Sequence, residues 1–272
     1  MFKSIHPFPG IAHITDNMGV SFTLIEGSDR ALLFDTGYGM EDVMSYIRTQ
    51  TEKPVKLILS HGHHDHVLGT RWFPVSFLCE QDMAEFFERS GSIQRNIVKK
   101  QAEAKKIKVA PDYVSAPIRI PEPIRFTEKT GPFESLKEKL GGLEVTIIRV
   151  PGHTPGSAMI VIPEYSLLLT GDNWNPCTWM WFPSSLSAVQ WRENMFRFLS
   201  LLEEQHGQIP ETILCSHQPS IRKGSELKAF LDSMTEVRMK KADPVDMGSS
   251  VSTYGIHKEP EDWTLIFDMD KI

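Results

Sequence analysis

The stretch LILSHGHHDHVLG, residues 57–69, sets four histidines and an aspartate, His61, His63, His64, Asp65 and His66, within six positions directly after a short apolar run. PVKLILS, residues 54–60, reads as a buried strand ending at Ser60, so the cluster is expected on the loop that follows. Crowding this many titratable groups on one loop is unfavourable without a cation, and neutral imidazole with carboxylate suits zinc. In an extended segment residues 61 and 63 project to the same side, so His61 and His63 can share one ion while Asp65 and His66 face a second. His64, out of phase with its neighbours, is the bystander; lining a pocket or shuttling protons stay open to it.

These residues do not close two metal sites, so further ligands are expected at other strand ends. VPGHTPGS (150–157) puts His153 after the strand VTIIRV, LLLTGDN (167–173) puts Asp172 after another, and ILCSHQP (213–219) puts His217 after a third. Each is a polar residue at the C-terminal end of an apolar strand, where side chains converge above a sheet edge. His6, His13, His206 and His257 lack such company and read as ordinary hydrogen-bonded residues.

The ordered set SHGHHDH, PGHTPGS, TGD and SH, with FDTG at 34–37 before it, resembles the metallo-β-lactamase-fold hydrolase superfamily. That resemblance implies an α/β (α+β) fold: a four-layer αβ/βα sandwich, two mixed β-sheets face to face with helices outside. It implies one domain over residues 1–272, built from two related halves (about 1–110 and 115–250) with a C-terminal tail, 251–272. By the same similarity His61, His63 and His153 hold one metal, Asp65, His66 and His217 hold the other, and Asp172 bridges them. Asp35 would orient the site through hydrogen bonds, the alternative being a simple turn aspartate. The implied cofactor is two zinc ions per chain; iron or manganese is an alternative, because metal supply as well as ligand type selects the ion.

Paired divalent ions acidify a water and polarise the carbonyl or phosphoryl oxygen under attack, which is hydrolytic chemistry, with Asp65 able to accept the nucleophile's proton and Asp172 bridging. True β-lactamases usually carry cysteine where Asp172 stands; the aspartate looks like the glyoxalase II, lactonase, esterase and phosphodiesterase branches. The flavin-linked diiron reductases carry glutamate at the position of His63 and append a flavodoxin domain, for which no residues remain. Glyoxalase II-like enzymes and persulfide dioxygenases follow the bridging aspartate with a GCGR-type segment, whereas this chain reads GDNWNPCTWMWFP (171–183), a departure that weighs against glutathione thioesters. The reading is a hydrolase of a small ester, thioester or lactone. Phosphodiester hydrolysis at the same ions is the alternative within enzymes, and a catalytically silent, metal-stabilised binding module the alternative outside them.

Trp174, Trp179, Trp181 and Phe182 crowd nine residues beside Asp172. They either pack under the helix that follows or wall an apolar pocket for an acyl or aromatic group, in which case Trp179 or Trp181 carries the wall. RNIVKKQAEAKKIKV (95–109) brings Arg95, Lys99, Lys100, Lys105, Lys106 and Lys108, either as a solvated helix face or as a clamp for a phosphate or carboxylate.

Over 272 residues the net charge is −6, which supplies no broad electrostatic footprint for nucleic acid or an anionic membrane, so the expected partner is a small-molecule substrate. Cys79, Cys177 and Cys215 are odd in number and show no CxxC spacing, which suits a reducing compartment, the cytoplasm. The stretch MFKSIHPFPGIAHITDNMG lacks an apolar h-region, so no signal peptide is expected.

Hairpin strands are expected on either side of Gly27–Arg30 and of Pro163–Ser166. Helices are expected near 40–49, 82–89, 93–108, 185–205 and 224–239, the last with a core stripe of Leu227, Phe230, Leu231, Met234 and Val237. The proline-rich stretch 110–135 is expected to be irregular with short strands. The tail YGIHKEPEDWTLIFDM (254–269) alternates in a way that suits either an edge strand or a homodimer partner.

Overall fold

Apolar runs of four to six residues, too short for helices and rich in Ile, Leu and Val, become the central strands of what are, among the described residues, two seven-stranded mixed sheets and a third sheet of four. The structure is a computed structural model that describes residues 2–217, 220–249, 251–258 and 263–272. It divides into two compact units, Met1–Arg125 with Lys137–Val145, and Phe126–Leu136 with Thr146–Ile272.

In the first unit the strands run Lys3–Phe8, Ile11–Thr15, Ser21–Glu26, Ala31–Phe34, Val55–Ile58, Phe77–Leu78 and Glu122–Pro123 across the sheet. The hairpin across Gly27–Arg30 forms as its turn residues predict, Glu26 pairing with Ala31. Ala31–Phe34 and Val55–Ile58 pair in parallel, which demands a crossover, supplied by the helix Val43–Gln50. That helix starts later than the expected residue 40 because Asp42 caps it, its carboxylate accepting the Ser45 N–H at 2.9 Å. The first two strands were not expected: KSIHPF is mostly exposed and contains Pro7, both features of a sheet edge rather than of a core strand.

The histidine stretch begins as the expected loop, bending through Ser60–Gly62 with His63 extended, but His64–Val67 is one helical turn, with the N–H groups of His66 and Val67 both donating to the His63 carbonyl at 3.0 and 3.2 Å. From His64 onward, helical rotation and not strand alternation decides which way each side chain points. Gly62 is needed here for close approach: a Cβ would lie 2.7 Å from the Asp82 carbonyl oxygen and 2.8 Å from Glu85 Cβ, where the helix Met83–Ser90 presses on the loop.

In the second unit the hairpin Ala158–Ile162 to Leu167–Gly171 turns through Pro163–Tyr165, with Ser166 in the left-handed region at φ 48°. Leu167–Gly171 and Thr212–Cys215 pair in parallel, and the helix Ala188–His206 makes the crossover. Ser187 and Gln190 form a reciprocal cap at its start, and Gly207, at φ 78°, stops it. The expected helix 224–239 is two helices, Gly224–Ser233 and Glu236–Met239, because Thr235 caps a new start. The break keeps Leu227, Phe230, Leu231 and Met234 in the core but turns Val237 out to 68% exposure, which removes it from the expected stripe. The third sheet joins Cys177–Met180 to tail strands Trp263–Asp268 and Thr253–Lys258 and to Asp243–Pro244, so the tail supplies sheet strands; residues 259–262 lie outside the described residues. Among the described residues no helix is long and apolar enough to cross a membrane.

Phe230 is the hub of this unit's core, its ring meeting Trp174, Trp191 and Trp263 edge-on at 5.9–6.1 Å between centroids. Phe230→Ala is expected to cost about 3–5 kcal/mol in urea unfolding, while Val237→Ala stays within about 0.5 kcal/mol of the parent.

Candidate metal centre

In the first unit the site is built around one carboxylate. Asp35, 1% exposed, leaves the strand Ala31–Phe34 in the left-handed region at φ 69°, a conformation that aspartate tolerates better than most residues. Its Oδ1 accepts the Ser60 N–H at 2.6 Å, and its Oδ2 accepts the Ser60 hydroxyl at 2.6 Å and faces His66 Nδ1 at 2.9 Å. A carboxylate accepts only, so His66 carries its proton on Nδ1. The Ser60 hydroxyl has given its one hydrogen to Asp35 and must accept from His61 Nδ1, 2.9 Å away. Both rings therefore turn Nε2, with its lone pair, away from these anchors. Thr36 completes the mount: its N–H and hydroxyl both donate to the His66 carbonyl at 3.1 and 2.7 Å.

His61, His63 and His66 are 1%, 4% and 0% exposed, with the His61 ring 4.6 Å from His63 and 4.2 Å from His66. Buried imidazoles this close together make a cluster of nitrogen donors that suits a divalent cation. Asp65 Oδ2 lies 3.7 Å from His66 Nε2. His64, on the other side of the helical turn, meets Tyr38 edge-on at 5.5 Å. Sequence reasoning missed Glu85, whose Oε2 sits 3.4 Å from His63 Nε2 and accepts from Arg89 Nε at 2.7 Å; the signal was a carboxylate with arginine four residues on in a helix. It missed Ser60 as well, although the serine is adjacent to the first histidine.

In the second unit two asparagines do the mounting. Asn173 Oδ1 accepts the His153 N–H at 3.0 Å while its Nδ2 donates to the Val150 carbonyl at 2.9 Å, which ties the turn to its own strand. Asn175 donates to Asp172 Oδ1 at 3.2 Å and accepts the His217 N–H at 3.0 Å. His217 Nε2 stands 3.1 Å and His153 Nε2 3.8 Å from Asp172 Oδ2. His153 Nδ1 donates to the Trp179 carbonyl at 2.7 Å, so here too Nε2 holds the lone pair. The signal for these asparagines was GDNWN itself, two amides within three residues after a candidate ligand.

Three imidazoles, His61, His66 and His153, thus have Nδ1 committed as a donor. With the carboxylate of Asp65 in the first unit and that of Asp172 in the second, the candidate metal-binding groups fit divalent transition ions such as zinc or iron. No cysteine competes for the chemistry at His217: Cys215 is 1% exposed and burial pushes its thiol up to about 12.

The aromatic loop divides. Trp174 is 0% exposed against Phe230, a core position and not a pocket wall. Trp179, 39% exposed, lies 6.1 Å from Trp181, which stacks on Phe182 at 4.4 Å, and Phe182 meets the His153 ring edge-on at 5.3 Å. Of the basic segment, Lys100, Lys105, Lys106 and Lys108 face solvent, whereas Arg95 is buried and donates to the carbonyls of Tyr113 and Ala116 at 2.9 and 2.6 Å.

The family profile described as the metallo-beta-lactamase superfamily matches residues 15–203. A metallo-β-lactamase from Pontibacter korlensis superposes with a TM-score of 0.58 at 16% identity, covering 85% of this chain and 98% of that one. The metallo-β-lactamase FIM-1 from Pseudomonas aeruginosa, in a mono-zinc form, gives 0.53 at 15% identity over 85% and 94% of the two chains. TTHA1623, in a di-iron-bound form, gives 0.52 at 17% identity over 86% and 100%. No match is found among curated proteins.

Because Asp35 sets two imidazoles at once, Asp35→Ala is expected to weaken zinc binding about 10–100-fold in isothermal titration calorimetry. Unchanged affinity in a folded variant would detach the carboxylate from metal binding.

Proposed function

Since this chain belongs to the metallo-β-lactamase superfamily, whose members are generally metal-dependent hydrolases, we propose that it is a dinuclear zinc hydrolase of small esters, thioesters or lactones. In this reading His61, His63 and His153 hold one ion, Asp65, His66 and His217 the other, and Asp172 is shared. The observation that carries it is the common tautomer of His61, His66 and His153, each held through Nδ1 so that Nε2 is the ligand atom. The ions, when bound, supply Lewis acidity toward the oxygen under attack and acidify water.

The protein's own groups do the rest. Asp65 accepts the attacking water's proton on a carboxylate oxygen, a role that leaves Asp35, engaged by Ser60 and His66, free of proton traffic. Asn175 keeps Asp172 aimed by donating to Oδ1, which leaves Oδ2 for His217 and the metal side. The partly exposed Trp179, with Trp181 and Phe182 beside His153, favours an apolar or aromatic acyl portion over a small charged one. Solvent-facing lysines on the segment after Arg95 lend no support to a phosphate clamp, which places phosphodiesters second. Three cysteines, odd in number and without CxxC spacing, fit a reducing compartment, the cytoplasm in this reading.

Initial rates with zinc-loaded protein on matched aryl and alkyl esters, thioesters, lactones, β-lactams and phosphodiesters, with and without chelator, test this. Expected is acyl cleavage lost on chelation and restored by zinc, and abolished by His66→Ala or Asp172→Ala together with part of the bound metal. Cleavage of phosphodiesters alone would overturn the acyl assignment, and full turnover in either variant would sink the dinuclear site. Trp179→Ala is expected to raise KM for aryl substrates about tenfold with kcat little changed.

A further inference from the structure

The tail strand Trp263–Asp268 and the residue Lys271 lie beyond the matched region 15–203, yet they contact the elements on which His153 depends. Cys177–Met180 is an edge strand, paired in parallel on one side only, residue by residue from Cys177 with Thr264 to Met180 with Phe267. The Thr264 N–H donates to the Pro176 carbonyl at 2.8 Å and pins the start of the register. Thr178 and Met180 are buried, so Cys177 and Trp179 face outward; a slip of one residue would exchange these faces. The outer edge leaves carbonyls available, and that of Trp179 is the acceptor for His153 Nδ1 at 2.7 Å.

The chain then runs into Phe182–Ser185, where Lys271 Nζ donates to three main-chain carbonyls, those of Phe182 at 3.0 Å, Pro183 at 2.6 Å and Ser185 at 3.4 Å. An ammonium has three donors and no acceptor, so three converging carbonyls replace its hydration shell. Ser185 in turn donates its hydroxyl to the His153 carbonyl at 2.7 Å, and the Leu186 N–H donates to Gly152 at 3.0 Å. His153 is therefore tied to this loop at both its ring and its backbone, and the loop is tied to the tail.

We propose that the C-terminal strand and Lys271 form a positioning clamp that sets the His153 imidazole and the Trp179–Phe182 aromatic face, Lys271 being the positioning residue. The clamp rests on the reading of His153 as a metal ligand and of the aromatic face as a substrate wall. Lys271 touches neither metal nor substrate; it acts through the carbonyls of the loop. Methionine at this position keeps the length of the side chain but leaves three carbonyls without their donors, whereas arginine restores charge and donors.

The test compares full-length parent, Lys271→Met, Lys271→Arg and Ser185→Ala. Zinc affinity is measured by competition with a chromophoric chelator, and acrylamide quenching of tryptophan fluorescence is measured in the metal-free protein. Expected for Lys271→Met is native circular dichroism, zinc affinity lowered about tenfold, and stronger quenching, with Lys271→Arg recovering most of both. Ser185→Ala should lower zinc affinity without touching the tail, and it decides the matter if Lys271→Met does not fold. A lowered melting temperature with unchanged zinc affinity and quenching would reduce Lys271 to a stabilising contact and overturn the clamp. Neither readout uses a substrate, so failure of the acyl-hydrolase reading in the rate panel leaves this result standing, and the reverse holds too.

Discussion

The buried carboxylate of Asp35 is the constraint from which the first unit's ligand geometry descends. It is taken out of water at the end of a core strand, and its desolvation is offset by three hydrogen bonds, from the Ser60 N–H to Oδ1 and from the Ser60 hydroxyl and His66 Nδ1 to Oδ2. Those contacts settle proton positions as well as distances: the hydrogen that Ser60 gives to Asp35 makes its oxygen an acceptor for His61. One charge thereby decides the tautomer of two imidazoles. The left-handed backbone of Asp35 is part of the arrangement: the chain leaves the strand Ala31–Phe34 there, and the carboxylate meets Ser60 two residues past the end of the parallel neighbour Val55–Ile58.

The second unit reaches an equivalent result with neutral groups. Asn173 and Asn175 each use both ends of the amide, Asn173 joining the His153 N–H to the Val150 carbonyl and Asn175 joining Asp172 to the His217 N–H. An amide offers a donor and an acceptor at fixed separation, so it can set the distance between two partners without adding charge beside a metal. Next to Asp172 that neutrality matters, since a second carboxylate there would repel the first.

The candidate donors were legible in the sequence for a physical reason: clustered imidazoles and carboxylates at strand ends are costly to keep without a cation, so His61, His63, Asp65, His66, His153, Asp172 and His217 stand out from a background of apolar strands as groups that could hold a metal. Strand and hairpin positions were legible wherever Ile, Leu and Val runs met Gly or Pro. The helical turn at His64–Val67 was hidden because four residues are too few to show a period. The break at Thr235 was hidden because apolar spacing continues across it, and only the exposed Val237 betrays the new axis. Ser60, Asn173, Asn175 and Lys271 act through hydrogen bonds to main chain or to ligands, a pairing that composition and spacing do not encode. Trp174 looked like its neighbours Trp179 and Trp181 in the sequence, but only the three-dimensional position of Phe230 assigns it to the core.

Trp179 serves its surroundings through two separate parts. Its carbonyl receives the His153 proton, and its indole lies partly in solvent. Any amino acid supplies the first part, and each supplies a different second. Mutational drift at this position can therefore rewrite the character of the exposed surface while the His153 imidazole keeps its partner, so that surface chemistry is free to evolve at a residue whose backbone holds a buried ring in place.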